Sequence, residues 1–226
     1  MNTVDRSKLK EKYGGEKVFV VDSNLEVLQN LKEGLDGFYN NQKEFLDHLI
    51  SEIVNNGYFV DRWKAEYNPE YRQIIPYTIV LNDKNLGDLF LDPEEITVFV
   101  TERLDKSGED RLKGMLSIGV GGHINPEDDT KNLLLSASAR EIEEETTLVY
   151  GEDFLIVSPI GYINDNSNEV SRDHFGIVMT IITQKKASIK EKDTLRGYYM
   201  PKDRLGDNLD KLESWSQLIV EEMIGG

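Results

Sequence analysis

The stretch from residue 115 to residue 146 constrains the fold of this chain more than any other. It opens with "MLSIGVGGHI" (Met115–Ile124), whose apolar residues predict a strand that three glycines interrupt. An acidic loop follows, and Lys131–Thr146 then has the apolar spacing of an amphipathic helix. A strand that passes through a turn into such a helix favours a sheet covered by helices.

Strand and helix patterns are interspersed over the rest of the chain. β-Branched and aromatic residues predict five further strands: Lys17–Val21, Ile74–Leu81, Ile96–Leu104, Phe154–Ile163 and Phe175–Thr183. Helical spacing predicts one helix from about Gln42 to Gly57 and another from about Asn208 to Met223. Because proline lacks the N–H of a strand ladder, Pro76 indicates an edge position or a bulge. The order predicts an α/β sandwich with a mixed sheet.

Length and charge limit what this fold can bind. With 226 residues, 38% of them hydrophobic, we expect one principal domain. The formal net charge of −16 repels a phosphate backbone, so no long nucleic acid is expected as a partner. The chain has no cysteine, no signal-peptide pattern and no apolar run near the roughly 20 residues of a membrane span. These features predict a soluble cytoplasmic protein that does not bind membranes.

The predicted helix at 131–146 carries four glutamates within five positions. At about 100° per residue, Glu141, Glu144 and Glu145 fall within an arc of roughly 100°, and Glu143 points to nearly the opposite side. An acidic face turned to water is one interpretation. Three like charges at this spacing repel one another, however, and Mg²⁺ or Mn²⁺ would turn that repulsion into affinity. We therefore predict a metal site here, with Arg140 able to pair with Glu144.

The glycines upstream support this hypothesis. Gly119, Gly121 and Gly122 end the predicted strand beside the acidic loop. Glycine lets a backbone turn without steric penalty and approach a ligand closely. A glycine turn followed by three convergent glutamates is more than composition alone predicts.

These segments resemble the signature of the Nudix hydrolase family, which is a glycine, five residues, a glutamate, seven residues, then Arg-Glu-apolar-any-Glu-Glu-any-Gly-apolar. Gly122 matches the leading glycine, and the second half is matched by Arg140, Glu141, Ile142, Glu144, Glu145 and Leu148. Three features depart from the signature: Asp128 replaces the first glutamate, four extra residues separate it from Arg140, and Thr147 replaces the late glycine. The words "GGHINPED" and "RQIIPYTIVL" also resemble a bacterial Nudix subgroup with an N-terminal extension.

The resemblance implies a fold and an activity. The fold is a Nudix-type α/β/α sandwich with a mixed sheet over residues 71–226, and residues 1–70 form an N-terminal α+β extension. The activity is Mg²⁺-dependent (or Mn²⁺-dependent) hydrolysis of a diphosphate bond in a nucleoside diphosphate linked to another moiety. The alternative is a catalytically weak nucleotide-sensing module on the same fold, which the altered signature motivates.

The resemblance also implies residue roles. The metal ligands are the backbone carbonyl of Gly121 and the carboxylates of Glu141, Glu144 and Glu145. Arg140 orients Glu144 or Glu145. The general base lies either on the helix, at Glu141 or Glu144, or in a distant loop, at Glu169.

Further residues are candidates for substrate binding. Arg103 is a phosphate contact or a surface ion-pair partner. His123, next to Gly122, faces phosphate or hydrogen-bonds its own loop, and Glu169 is a loop acid. The aromatic residues on strands are expected to fill the core rather than to stack on a base: Tyr77, Phe99, Tyr162 and Phe175. A homodimer through the N-terminal segment is a further expectation.

Overall fold

The computed structural model describes residues 5–31, 37–40, 43–83, 96–104, 114–154, 157–167 and 169–225. They form an α/β fold with a large mixed sheet, which confirms the predicted fold class. The strands are β1 (Lys17–Asp22), β2 (Gly37–Tyr39), β3 (Tyr58–Asp61), β4 (Tyr71–Asn82), β5 (Thr97–Arg103), β6 (Leu116–Ser117), β7 (Gly119–Gly121), β8 (Ser158–Asn164), β9 (His174–Thr183) and β10 (Leu195–Pro201). The helices are α1 (Arg6–Tyr13), α2 (Glu26–Gln29), α3 (Lys43–Asn56), α4 (Arg62–Ala65), α5 (Leu133–Glu145), α6 (Glu169–Arg172) and α7 (Ser214–Gly225).

The long strand β4 has the most pairing partners. In the strand order β10-β5-β4-β9-β8-β2 it lies between β5 and β9, and it also pairs with β1 and β7. Residues 71–73 pair with β1 and residues 77–79 pair with β7, so Pro76 falls between two ladders. The edge position that Pro76 indicated is therefore wrong, and the missing N–H is tolerated at this junction.

The chain forms two compact units, each assembled from three stretches. The first consists of the described residues within Met1–Pro76, Gly122–Ala137 and Ile160–Ile177. The second consists of those within Tyr77–Gly121, Ser138–Pro159 and Val178–Gly226. The division after residue 70 into an extension and a catalytic domain stays a prediction.

In the first unit, β1 pairs with β3 and with the start of β4. Helix α3 buries Leu46, Leu49 and Ile53, and its extent confirms the helix predicted from Gln42 onward. Gly57 follows the helix, where a Cβ atom would lie 2.2 Å from the ring of Phe19. Glycine is therefore needed at this helix end to make room for an aromatic ring.

In the second unit, β10 pairs with β5 from Leu195 opposite Arg103 to Pro201 opposite Thr97. The predicted strand is interrupted at Ile118, between β6 and β7, and not at its glycines as predicted, since Gly119 and Gly121 lie within β7. β6 pairs with β5, and β7 pairs with β4 so that Gly121 lies opposite Tyr77. This arrangement brings the glycine strand beside β4.

Some boundaries differ from the prediction. α5 begins at Leu133 rather than Lys131, because the side chain of Asp129 accepts a hydrogen bond from the Lys131 backbone N–H (3.0 Å) in a turn before the helix. α7 begins at Ser214 rather than near Asn208, since residues Gly206–Lys211 form a 3₁₀ segment in which Asn208 has a non-helical φ of −123°. β8 begins at Ser158 rather than at Phe154.

No helix within the described ranges is long and apolar enough to cross a membrane.

Candidate active site

The site is built on the last two turns of α5, where Arg140 joins two of the glutamates. Its Nη1 lies 2.7 Å from Glu141 Oε1 and 3.3 Å from Glu144 Oε2. The Glu141 side chain is 13% exposed and the Glu144 side chain is 59% exposed, so the first ion pair is the more sheltered. The pairing with Glu144 confirms the prediction. The pairing with Glu141 was missed, since adjacent helical residues do not normally face each other.

The third glutamate, Glu145, is half-buried. Burial, together with the negative charges of Glu141, Glu191 and Glu144, raises the pKa of Glu145 to about 7, although the positive charge of Arg103 acts to lower it. Within the described part of the chain, no hydrogen bond or ion pair reaches this carboxylate. Such a group costs stability when ionised, unless a cation offsets its charge.

Whether these residues suit a divalent metal is decided by donor type and placement. Carboxylate and carbonyl oxygens are the donors that Mg²⁺ and Mn²⁺ prefer, and Glu145, with three acids near it, fits a cation. As the side chains are placed, no three His, Asp or Glu residues of the described ranges converge closely enough to hold an ion. Arg140 is the positive group that two of the glutamates contact. The residues therefore fit the metal by donor chemistry, and their side chains would have to rearrange to hold it.

The fourth glutamate of the helix has a structural contact. Oε1 of Glu143 accepts a hydrogen bond from the backbone N–H of Tyr150 (2.7 Å), so it is not simply a solvated acid. Its backbone carbonyl accepts a hydrogen bond from the Lys190 ammonium. Glu143 thus supports the loop after the helix and differs in role from its three neighbours.

Thr147, which replaces the late glycine of the signature, is integrated into the structure. Its backbone N–H donates to the Ser188 carbonyl (3.0 Å), and its hydroxyl accepts from the Ser188 N–H (3.1 Å). The preceding Thr146 donates its hydroxyl to the Ile142 carbonyl (2.7 Å). Thr147, the residue that departs from the signature, therefore joins the end of α5 to Ser188 by two hydrogen bonds.

A cavity of about 410 Å³ lies in the loop between β9 and β10, and it is lined by Lys190, Glu191, Lys192, Asp193 and Thr194. The backbone N–H of Lys190 donates to the Glu145 carbonyl (2.9 Å), which fixes this loop to the end of α5. Sequence reasoning missed Glu191, because nothing in its local pattern marks it.

Arg103, at the end of β5, is half-buried and close enough to Glu145 to lower its pKa. Its backbone N–H donates to the Met115 carbonyl (3.2 Å), just before β6. The structure thus places Arg103 beside the glutamates. Its role in phosphate binding stays a prediction.

Several predicted substrate residues belong to the first unit. His123 Nε2 lies 3.0 Å from Oε1 of Gln73, and its ring meets that of His174 edge-on, with centroids 5.5 Å apart. Gly122 is half-buried, and Glu169 is the first residue of α6. His123 therefore hydrogen-bonds Gln73 on β4 rather than its own loop, and its contact with phosphate stays a prediction.

Two further expectations concern buried residues. All four strand aromatics are core residues, as predicted: Tyr77, Phe99, Tyr162 and Phe175 are at most 5% exposed. Gly119 has no room for a side chain, since a Cβ there would lie 2.2 Å from the Tyr77 ring. Gly119 therefore has a packing reason for lacking a side chain, and the approach of a ligand to the glycine turn stays a prediction. Asp128 is buried, and its Oδ2 accepts from the Asn125 backbone N–H (2.8 Å), a loop-closing contact.

No protein-family model matches this chain. The chain is 34% identical over 167 residues to protein YmaB of Bacillus subtilis strain 168. This match covers 71% of this chain and 75% of YmaB. Among solved structures it is similar to "Tm1382, a putative Nudix hydrolase", with a TM-score of 0.72, 23% identity, and coverage of 93% of this chain and 99% of the other. This likeness shows the Nudix fold.

Proposed function

Because the chain belongs to the same family as Bacillus subtilis YmaB and has the Nudix fold, we propose that it is a metal-dependent hydrolase. Its substrate is a nucleoside diphosphate linked to another moiety, and the bond cleaved is the diphosphate bond. The observation that carries this proposal is the half-buried Glu145, which is crowded by acids and only partly compensated by Arg103. A charge that costs stability in the free protein is typical of a site built for a ligand.

The proposed metal site uses the carboxylates of α5. Glu141, Glu144 and Glu145, with the backbone carbonyl of Gly121, would hold Mg²⁺ or Mn²⁺. When bound, the ion neutralises phosphate charge and lowers the pKa of an attacking water. Arg140 contacts Glu141 and Glu144 in the free protein and keeps their carboxylates oriented.

The chain's own groups supply the proton transfer and substrate contacts. Glu141 and Glu144 are the helix candidates for the general base, and Glu169 is the distant one. Arg103 contacts a phosphate oxygen by a charge-assisted hydrogen bond. Gly122 and His123 are proposed to contact the substrate. The cavity at 190–194 is proposed to take the group attached to the diphosphate, since its volume is typical of a small-molecule site.

We also propose a domain organisation for the chain. Residues 71–226 form the catalytic domain and residues 1–70 the extension, through which two chains pair as a homodimer. Sedimentation of the full chain, compared with a chain lacking residues 1–70, tests this pairing. A monomer for the full chain contradicts it.

A phosphate-release screen tests the activity. The substrates are nucleotide sugars, dinucleoside polyphosphates, NADH, ADP-ribose and oxidised nucleotides, each with Mg²⁺ or Mn²⁺. Wild type is compared with Glu144→Gln and Glu145→Gln, and Glu143→Gln is the matched control because its side chain contacts the Tyr150 backbone. Hydrolysis that both site variants lose and the control keeps supports the proposal. Equal trace activity in all four proteins contradicts it, and nucleotide binding without turnover identifies the sensing module instead.

Metal binding gives an independent test. We expect Mn²⁺ to bind the wild-type protein in a titration followed by electron paramagnetic resonance, and Glu145→Gln to weaken it. If no divalent ion binds at millimolar concentration, the metal site is wrong even though the fold stands.

A further inference from the structure

The second unit contains a buried polar cluster that the proposed function does not use. We call it the hydroxyl network, and it consists of Tyr77, Ser117, Glu213 and Ser216. The Tyr77 hydroxyl donates to Glu213 Oε1 (3.0 Å) and lies 2.7 Å from Ser216 Oγ and 2.8 Å from Ser117 Oγ. Ser117 also donates to the same Glu213 oxygen (2.6 Å). One carboxylate oxygen thus gathers two hydroxyls from different strands.

The network fastens the interrupted glycine strand. Ser216 Oγ accepts a hydrogen bond from the backbone N–H of Ile118 (3.0 Å), the residue at which β6 and β7 separate. The backbone N–H of Glu213 donates to the Leu116 carbonyl (2.9 Å). Ser117 Oγ, whose proton goes to Glu213, accepts a hydrogen bond from the Gly119 backbone N–H (3.4 Å). Every residue from 116 to 119 is therefore tied to the network or to the start of α7.

Tyr77 carries this constraint directly to Gly121. The two residues lie opposite each other in the ladder between β4 and β7. The Tyr77 ring fills the space above Gly119, and Trp215 packs edge-on against it, with centroids 5.7 Å apart. A tyrosine whose hydroxyl and ring are both fixed restricts the strand that ends at Gly121.

We infer that the hydroxyl network is a positioning device for the Gly121 backbone, with Glu213 as its key residue. This inference rests on the proposed function, in which the Gly121 carbonyl is a metal ligand. Groups that orient metal ligands influence affinity although they never touch the ion. Glu213 would act as the acceptor that aligns Tyr77 and Ser117, so its hydrogen-bonding oxygen matters more than its charge.

The test compares Glu213→Ala, Glu213→Gln and Tyr77→Phe in the full chain. Glutamine keeps an oxygen acceptor, alanine removes it, and phenylalanine keeps the ring over Gly119 but removes the hydroxyl. Glu221→Gln is the matched control, since Glu221 lies on the exposed side of α7 and accepts only from Gln217 (2.9 Å) in the described structure. The first readout is amide hydrogen exchange of residues 116–121 in metal-free protein. The second is the dissociation constant for Mn²⁺.

We expect Glu213→Ala and Tyr77→Phe to speed exchange in residues 116–121 and to weaken Mn²⁺ binding about tenfold. Glu213→Gln and Glu221→Gln should behave as wild type. If exchange speeds up while Mn²⁺ affinity is unchanged, the network is only structural and the inference is overturned. If Glu213→Gln is as impaired as Glu213→Ala, the acceptor role is wrong.

Failure of the proposed function has a different signature. In that case Mn²⁺ does not bind the wild-type protein, and Glu145→Gln changes nothing. The inference then falls together with the metal site. If instead the wild-type protein binds Mn²⁺ and only Glu145→Gln weakens that binding, the metal site stands and the positioning role of Glu213 is overturned.

Discussion

Two carboxylates of the second unit, Glu213 and Glu145, show opposite treatments of a partly buried acid. Glu213 Oε1 accepts hydrogen bonds from Tyr77 and Ser117. Glu145 has no such donor within the described residues and is pressed by three other acids. A satisfied carboxylate stabilises the fold, and an unsatisfied one stores a cost that a ligand can relieve. The hydrogen-bond partners of a carboxylate, rather than its burial alone, therefore separate a structural acid from a candidate functional one.

The largest expected effect is the loss of activity when Glu145 is replaced. Glu145→Gln should lower kcat at least about 100-fold, because a neutral amide holds a divalent ion far less well than a carboxylate. Steady-state kinetics on a substrate found by the screen measure it. Glu143→Gln should stay within a few-fold of wild type, and comparable losses in both variants would remove the distinction between the two residues.

Glu145→Gln should raise the stability of the protein, although it lowers activity. In the unfolded chain the Glu145 carboxyl loses its proton near the ordinary pKa of 4.5, whereas in the folded protein it keeps the proton to about pH 7. The folded state therefore binds more protons in this window, so the free energy of unfolding falls as pH rises from about 4.5 to 7. At pH 8, with a chelator present, we expect Glu145→Gln to be more stable than wild type by roughly 1–3 kcal/mol. Urea unfolding at pH 4.5 and pH 8 checks this, and an equal difference at both values would refute it.

The structural side is tested by Glu213→Ala. It leaves the hydroxyls of Tyr77 and Ser117 without their acceptor, so we expect a loss of about 1–3 kcal/mol in the free energy of unfolding. The sign is opposite to that of Glu145→Gln at pH 8. Urea unfolding at pH 8 measures both variants side by side. A stabilising effect of Glu213→Ala would contradict the claim that the hydrogen-bonded Glu213 stabilises the fold.

The smallest effect concerns the substituted glycine position. Thr147→Val removes the hydroxyl that accepts from the Ser188 N–H but keeps the backbone contact. We expect a loss of about 0.5–1.5 kcal/mol, the usual worth of one such hydrogen bond. The midpoint of thermal unfolding is sufficient to detect it. An unchanged midpoint would show that solvent replaces the bond at no cost.

Local patterns predicted the elements whose burial is regular. α3 shows its three buried residues at helical spacing, and β4 and β9 are long apolar strands, so each was predicted near its observed bounds. The starts of α5 and α7 were predicted too early. Side chains and backbone in the preceding loops use hydrogen bonds that compete with a helical turn, as Asp129 does with Lys131.

The candidate site was predictable only in part, for a physical reason. Helical geometry placed Arg140 near Glu144, because the two are four residues apart. The hydroxyl network joins Tyr77 to Glu213 across 136 positions, and Glu191 reaches the Glu145 environment from another loop. Contacts of this kind are set by tertiary packing, and no local spacing records them.

The end of α5 has one consequence for how an anion can approach. The peptide dipoles of a helix leave its C-terminus partly negative, and this helix adds Glu144 and Glu145 to that same end. Three positive side chains offset part of this negative charge: Lys190 on the Glu143 carbonyl, Arg140 on Glu144 and Arg103 beside Glu145. A phosphate arriving alone is therefore repelled, whereas one that arrives with a cation is drawn in. For the proposed site, the polarity of this helix therefore predicts that a metal ion binds with or before the nucleotide.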